Sequence, residues 1–241
     1  MEQGTIASRP LPRWLQESER LIREIAAGRL PDGVRLPPER EMAVDLGIAV
    51  GTLRKALADL AGKGLLERRQ GSGNYVRHRA GVASVYSLFR LERPSGGGLP
   101  TAELLTLDRR RKPAEAPDFG PSSEAWRLRR LRRLDGLPAA LEEIWLDAGQ
   151  AALLRAEDLS ESLYLSYRAV LGLEIGQVED RVGLAPVPDW AVDGFPLPPQ
   201  APAGYVERVS RLLDGAAVEF SRTWFDPDRA RYVSRFAKGQ G

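Results

Sequence analysis

GTLRKALADLAGKGLLERRQGSGNYV, residues 51–76, decides how this chain is read. Leu53, Leu57 and Leu60 recur at helical spacing and form an inner face. Gly62 and Gly64 stop the helix. LLERR, QGSG and NYVRH then read as strand, tight turn and strand. The leucines are core residues. The glycines either make a plain hairpin turn or let the backbone approach a partner without a Cβ in the way. Residues 51–79 carry seven basic side chains against two acidic ones, so the partner that would use such a surface is a polyanion.

Working backwards, Trp14, Leu15, Leu21, Ile22 and Ile25 predict an amphipathic helix. Gly28 and the Pro31-Asp32-Gly33 turn end it. A second helix is expected from about Pro38, a residue suited to a first helical turn, to Gly47. Three helices, with a short turn between the second and third, followed by a hairpin, make a winged helix-turn-helix. In that arrangement the third helix enters the major groove and the wing lies along the backbone. Arg68 and Arg69 would neutralise phosphates there, and Gly71 and Gly73 would permit close approach.

The totals narrow the rest. The chain has 241 residues, enough for one large or two ordinary domains, and 43% are hydrophobic. It has no Cys, which removes disulfides, thiolate metal sites and a thiol nucleophile. The single His excludes a multi-histidine metal site, so no metal is expected. No apolar run is long enough to span a membrane, and the N-terminus lacks a signal-like apolar segment; the expected location is the cytoplasm. Net charge is only +2, but residues 1–80 hold 14 basic against 10 acidic side chains. The excess cation therefore sits in the first third of the chain.

RLPPEREMAVDLGIAVGTLRKALADLAGKGLLERRQGSGNYV, residues 35–76, closely resembles the DNA-binding domain of the GntR family of bacterial transcription regulators. The resemblance implies that Arg40 and Arg54 contact DNA, with Thr52 and Lys55 beside them on the recognition helix and Gln70 and Gly71 in the wing. Many family members place Ser or Thr followed by Arg where this chain has Ala49 and Val50, so its operator preference should differ. Pro38 replaces a customary capping Ser, which removes a cap worth about 1 kcal/mol.

RHRAGVAS, residues 77–84, reads as a linker. The expected domains are 1–78, the winged helix; 79–84, the linker; and 85–238, an α+β effector and dimerisation domain. RPSGGGLP, residues 93–100, reads as a loop inside that second domain. TAELLTLDRRR predicts a strand entering a polar turn. EAWRLRRLRRLDGLPAALEEIWLD predicts two strands around Asp135-Gly136. Helices are expected in QAALLRAEDL and SLYLSYRAVLGLE, a strand over Ile175 to Pro186, and further strands from Tyr205 to the end. Residues 187–204 show no clear period.

Alternation along the arginine-rich strand puts Trp126, Leu128, Arg130 and Arg132 on one side. Its neighbour puts Ala140, Glu142, Ile144 and Leu146 on one side. Both faces are mostly apolar and point inward with their charges. Buried charges are costly unless paired. Two Arg and one Glu directed at one interior mean either an ion-pair network or a pocket for a polar, anionic ligand.

The segment from Arg130 through DGLPAALEEIWL, with SLY at 162–164 and VEFSRTWFDPDRARY at 218–232, is similar to the UTRA effector domain of HutC-like GntR regulators. That domain is α+β, with an antiparallel sheet like that of chorismate lyase. The resemblance implies that Arg130, Arg132, Glu142, Ser162, Tyr164, Glu219 and Phe225 line the ligand pocket, with Tyr86 and Ser87 as weaker candidates. Phe225 and Trp145 stand where many relatives have Tyr, which implies a different ligand.

The expected function is a ligand-controlled repressor. It would bind a pseudo-palindromic double-stranded operator as a homodimer, take a small-molecule effector of unknown identity and need no cofactor. The alternative is a UTRA-fold domain with lyase-like activity at Arg130, Arg132 and Glu142, but no activated nucleophile is visible.

Overall fold

The computed structural model describes residues 9–79, 82 and 84–235. The chain divides into two compact units. One runs Leu11–Leu99 and takes in the chain from Tyr232; the other holds residues up to Pro10 and Pro100–Arg231. The expected linker, 79–84, falls within the first, and its Ala80, Gly81 and Ala83 lie outside the described residues.

In the first unit, helix α1 (Arg13–Ala26), α2 (Glu39–Asp45) and α3 (Val50–Gly62) precede a hairpin of β1 (Leu66–Arg69) and β2 (Gly73–Val76). Leu21, Ile22 and Ile25 of α1 join Leu53, Leu57 and Leu60 of α3 in one core, closed by Leu65, Leu66 and Val76 of the hairpin. Each fully buried leucine contributes about 1.5–3 kcal/mol. Trp14 and Leu15 are only half-buried, while Glu17, Ser18 and Glu19 are buried instead. Periodicity alone put these polar residues outside. They are inside because partners meet them: the Ser18 hydroxyl donates to Asp59, and Ser84 Oγ and the Val85 N–H donate to Glu19.

Gly47 ends α2 at φ +61°, and Gly71 and Gly73 turn the hairpin at +70° and +115°, conformations open chiefly to glycine. Leu66↔Val76 and Arg69↔Gly73 fix the hairpin register.

RPSGGGLP lies in this first unit up to Leu99, beyond the short strand β3 (Leu91–Glu92). Arg23 of α1 donates to the carbonyls of Gly98 and Leu91, both at 2.5 Å, and Arg29 donates to those of Ser95 and Gly96. Arg23 on α1 and Arg29 just beyond it thus hold three carbonyls of the segment, those of Ser95, Gly96 and Gly98, which sequence periodicity does not reveal.

The second unit is a six-stranded antiparallel sheet in the order β4-β5-β6-β9-β8-β7. Its strands are β4 (Pro100–Arg111), β5 (Glu124–Leu134), β6 (Leu137–Asp147), β7 (Ile175–Pro186), β8 (Pro202–Leu212) and β9 (Ala217–Phe225). Asp135 (φ +49°) and Gly136 (φ +80°) make the tight β5–β6 turn. TAELLTLDRRR remains extended to Arg111, since its ladder with β5 continues to Arg111↔Glu124 and Asp108 accepts from Arg127 on that strand.

The helix expected over QAALLRAEDL does not form. Asp147 caps a single turn at Ala148–Gln150, a second turn covers Ala156–Asp158, and Ala151, Leu154 and Leu159 are buried at a spacing that suits a wandering chain. Helix α4 (Leu163–Ser166) runs directly into a π-turn over Tyr167–Leu171 that Gly172 ends at φ +68°.

One sheet face is covered by α4 and the preceding chain, burying Trp126, Leu128, Ile144, Leu146, Leu163 and Tyr167. The other is covered by residues 187–201 through Val187 and Phe195, packed on Leu131, Leu141 and Trp224.

Candidate functional site

The first unit carries a concave, open face of about 800 Å³. Arg40 from α2, Arg54 from α3 and Arg68, Arg69, Gln70, Gly71 and Gly73 from the wing all line it. Of the residues expected to meet DNA, only Thr52 and Lys55 lie off that lining. They stand on the same helix, Thr52 half-buried and Lys55 exposed.

The face has an acidic pivot that the sequence reading missed. Glu39 accepts from Arg54 Nε at 2.7 Å and lies 3.6 Å from Arg68. One carboxylate thus holds the recognition-helix arginine beside the wing arginine. Because Arg54 uses Nε for that bond, its two terminal nitrogens are not engaged by Glu39. Arg69 stacks on the Tyr75 ring at 4.1 Å and pairs with Glu67 at 2.9 Å. Those contacts limit the side chain's freedom before any ligand arrives.

Arg35 was also missed. Its guanidinium lies against Gly73, where an added Cβ would come within 3.3 Å of Nε, so a side chain there would push the cation aside. Val50 explains the unusual start of α3: it packs against the core rather than outward. Ala49 gives the helix no side-chain cap.

In the second unit, the face beneath α4 collects charge. Arg130↔Glu142 and Arg132↔Ala140 are cross-strand pairs, and Glu142↔Thr223 and Ala140↔Phe225 continue the rows onto β9. Glu142 lies 2.6 Å from Arg130 and accepts from Arg132 Nε at 3.0 Å. All three are buried, at 3%, 5% and 6% exposure. Arg132 also donates to the carbonyl of Glu161 at 3.0 Å, which anchors the chain entering α4.

Burial raises a carboxyl's pKa, but the two guanidiniums outweigh it and hold Glu142 below its ordinary range. Burial, and then Arg132, depress Arg130. Nε and Nη1 of Arg130 have no hydrogen-bond partner.

A second cluster lies two rows along the same face. Ser210↔Glu219 is a cross-strand pair. Ser210 Oγ donates to Glu219 Oε1 at 2.8 Å, and the Tyr164 hydroxyl reaches the same oxygen at 3.1 Å. Burial raises Glu219 above the ordinary carboxylate range despite these donors. Burial and the Glu219 charge push the Tyr167 hydroxyl well above an ordinary phenol, with Arg130 acting the other way. Tyr167 therefore stands within electrostatic reach of both clusters. Its hydroxyl and the Glu219 carboxylate are each other's partners, at a separation longer than an ordinary hydrogen bond. Beside them, Arg208 grips Asp180 through Nε and Nη2 at 2.6 and 2.7 Å.

The structure thus brings Arg130, Arg132, Glu142, Tyr164 and Glu219 to one covered face. Phe225 shares it, its ring filling the space over Gly204. Ser162, buried just before α4, gives that helix no cap hydrogen bond.

Tyr86 and Ser87 lie in a turn of the first unit, Tyr86 buried and Ser87 exposed, and no strand forms there. The residues missed are Tyr167, Ser210, Arg208 and Asp180. The signal for two of them was available: Val206, Arg208 and Ser210 alternate onto one face of β8, as Arg130 and Arg132 do on β5.

Two family models match the chain. Residues 17–76 match the model for bacterial regulatory proteins of the gntR family, and residues 95–231 match the UTRA domain. The chain is 56% identical over 225 residues to the HTH-type transcriptional regulator SmoD of Agrobacterium fabrum, covering 93% of this chain and 96% of that one. It is 25% identical to the HTH-type transcriptional repressor NagR of Bacillus subtilis, over 93% and 94% of the two chains. Among solved structures, the possible transcriptional regulator YydK from Bacillus subtilis shares the fold, with a TM-score of 0.54 at 20% identity, covering 94% of this chain and all of that one.

Proposed function

The chain belongs to the GntR family of bacterial transcription regulators, in the HutC-like branch that carries a UTRA domain, and we propose that it is a repressor released from DNA by a small anionic metabolite. It is a ligand-responsive DNA-binding regulator. The finer reading concerns which residues act. Arg40, Arg54, Arg68, Arg69, Gln70, Gly71 and Gly73 grip DNA, and Arg54 reads a base from the major groove. A homodimer would present two such faces to a pseudo-palindromic site.

One observation carries the effector reading. Arg130 is buried with two of its nitrogens making no hydrogen bond among the described residues, and Tyr167, itself paired to Glu219, lies within its electrostatic reach. Buried polar atoms are nearly always hydrogen-bonded, so these two donors mark where a ligand supplies the partners. Donors from Arg130 suit an anionic head, and the Tyr164–Ser210–Glu219 group suits a hydroxyl or amine at the other end.

The domain acts by binding. Both arginines are committed to Glu142, and burial moves Tyr164 and Tyr167 away from nucleophilic ionisation. No helix among the described residues is long and apolar enough to cross a membrane, which accords with a cytoplasmic regulator.

The test is a thermal-shift screen across sugar phosphates, organic acids and amino-acid catabolites, followed by gel shift. A stabilising compound should release wild-type protein from its operator and be recovered unchanged. Arg132→Ala should still bind operator yet fail to respond. Release of that variant at the wild-type ligand concentration would refute the pocket.

A further inference from the structure

Residues 33–36, between α1 and α2, run beside β2. The Gly33 and Leu36 N–H groups donate to the carbonyls of Val76 and Asn74, both at 2.9 Å, and the Val76 N–H donates to that of Val34 at 2.8 Å. Arg35 is paired with Tyr75 across this ladder, as Tyr75 is with Glu67 and Gly73 with Arg69. Residues opposite one another on antiparallel strands project to the same side, and so do residues two apart. Arg35, Tyr75, Gly73, Glu67 and Arg69 therefore share one side of the wing. Leu36, Leu66 and Val76 take the other side and are buried in the core, so the shared side is the outer one. Gly73, diagonal to Arg35, has no Cβ, and the Arg35 guanidinium lies against the space a side chain there would fill.

The cations around the wing are not equally committed. Glu39 holds Arg54 and lies beside Arg68, while Glu67 holds Arg69 and Arg77. Arg35 is exposed and lines the concave face, and its side chain makes no ion pair or hydrogen bond among the described residues. A guanidinium already offset by a carboxylate releases fewer counterions when it meets DNA, whereas an unpaired one brings its full charge. We propose that Arg35 is a phosphate contact of this regulator, with Gly73 as its seat. The proposal rests on the assignment of the concave face to DNA. It adds a residue that belongs to neither a helix nor the hairpin.

Placement decides between backbone and base. Arg35 is not on α3, the helix that enters the major groove. Its guanidinium lies at Gly73, the first residue of β2, behind the turn formed by Gln70, Gly71 and Ser72. A group set behind the tip of a wing meets the walls of a groove, and those walls are sugar and phosphate. Such a contact positions the wing and adds affinity, and it carries no sequence preference of its own.

The test is fluorescence anisotropy on the full chain over a series of salt concentrations. The probes are a random-sequence duplex and an operator selected from random duplexes by the wild-type protein. Arg35 is exposed, so Arg35→Gln and Arg35→Lys leave the fold intact, which circular dichroism can verify. Arg35→Gln should weaken both duplexes by the same factor, about tenfold per bound chain at about 0.1 M salt, and should lower the slope of log affinity against log salt by about 0.9 per bound chain. Arg35→Lys keeps the charge and should keep the slope. Arg69→Gln, whose charge Glu67 already offsets, should lower the slope by less than Arg35→Gln does. A wild-type slope in Arg35→Gln, or the same loss in Arg35→Lys, would overturn the proposal. A loss confined to the operator would make Arg35 a base reader and overturn it equally. Arg40→Gln separates this contact from the face that carries it. If Arg40→Gln weakens binding and Arg35→Gln does not, only Arg35 is misassigned; if neither does, the concave face itself loses its assignment to DNA.

Discussion

Each unit of this protein contains a carboxylate between two arginines, and the two triads differ in burial. Glu39 holds Arg54 and Arg68 on an open face, with those arginines 62% and 76% exposed. Glu142 holds Arg130 and Arg132 beneath a helix, with each of the three side chains under 10% exposed. The same charges therefore have different energetic weight. In water the exposed triad gains about 0–1 kcal/mol per pair and is free to trade Glu39 for a phosphate. In the interior the charges cannot be left alone, because an unpaired buried ion costs several kcal/mol. The first triad is suited to being displaced by a ligand, and the second to being completed by one.

The largest effect should follow from breaking the buried triad. Glu142→Ala leaves two guanidiniums facing one another without an anion, and we expect a stability loss of about 3–5 kcal/mol by urea denaturation. The contribution is also pH-dependent. Glu142 is held below its ordinary range, so its stabilisation is present above the unfolded carboxylate pKa of about 4.3 and is lost as pH falls through the lower folded value. A loss under about 1 kcal/mol would mean that the triad is hydrated and the comparison fails.

Next comes the exposed face. Arg54→Ala should leave stability within about 1 kcal/mol of wild type and weaken operator binding by about 1–3 kcal/mol, or roughly five- to 150-fold. Ligand affinity should be unchanged. Equal gel-shift titrations of wild type and variant would remove Arg54 from the base-reading role.

The sequence made these triads unequally legible. Alternation through RLRRLRRL and LPAALEE was enough to put Arg130, Arg132 and Glu142 on one inward face, because a strand's period is two and the turn Asp135-Gly136 fixes the register. Glu39 was invisible by the same means. Its partners are 15 and 29 residues away on a helix and a wing, and no local period connects them. The failed helix over QAALLRAEDL has a similar cause: leucine spacing matched a helix, but burial of Ala151, Leu154 and Leu159 against the sheet decided the backbone. The contacts of RPSGGGLP with Arg23 and Arg29 were likewise illegible, because they are tertiary and no local period connects them.

A smaller effect separates two carboxylates of the covered face itself. Glu142 is lowered by its arginines, whereas burial raises Glu219. A raised acid adds stability that is fully present below the unfolded pKa and is lost as pH rises through the folded value. Glu219→Gln stays neutral throughout. It should therefore gain melting temperature relative to wild type at pH 8 and lose that advantage near pH 4.5. A difference that does not vary with pH would place Glu219 in an ordinary hydrated setting.

The smallest stability effect belongs to Glu39→Gln, and it is the sharpest test of what the exposed triad does. Removing a surface carboxylate should change stability by no more than about 1 kcal/mol. If Glu39 merely repelled phosphates, the variant would bind operator and random DNA more tightly by the same factor. If it orients Arg54, two changes occur together. Random DNA, bound through phosphate charge, is held more tightly because an anion has gone. The operator gains less, because the Arg54 fork is no longer set for a base edge. The ratio of specific to non-specific affinity should then fall, by roughly three- to tenfold at one fixed salt concentration. Competition titrations of labelled operator against random duplex measure that ratio directly. An unchanged ratio would reduce Glu39 to a neighbour of Arg54, and the likeness between the two triads to composition alone.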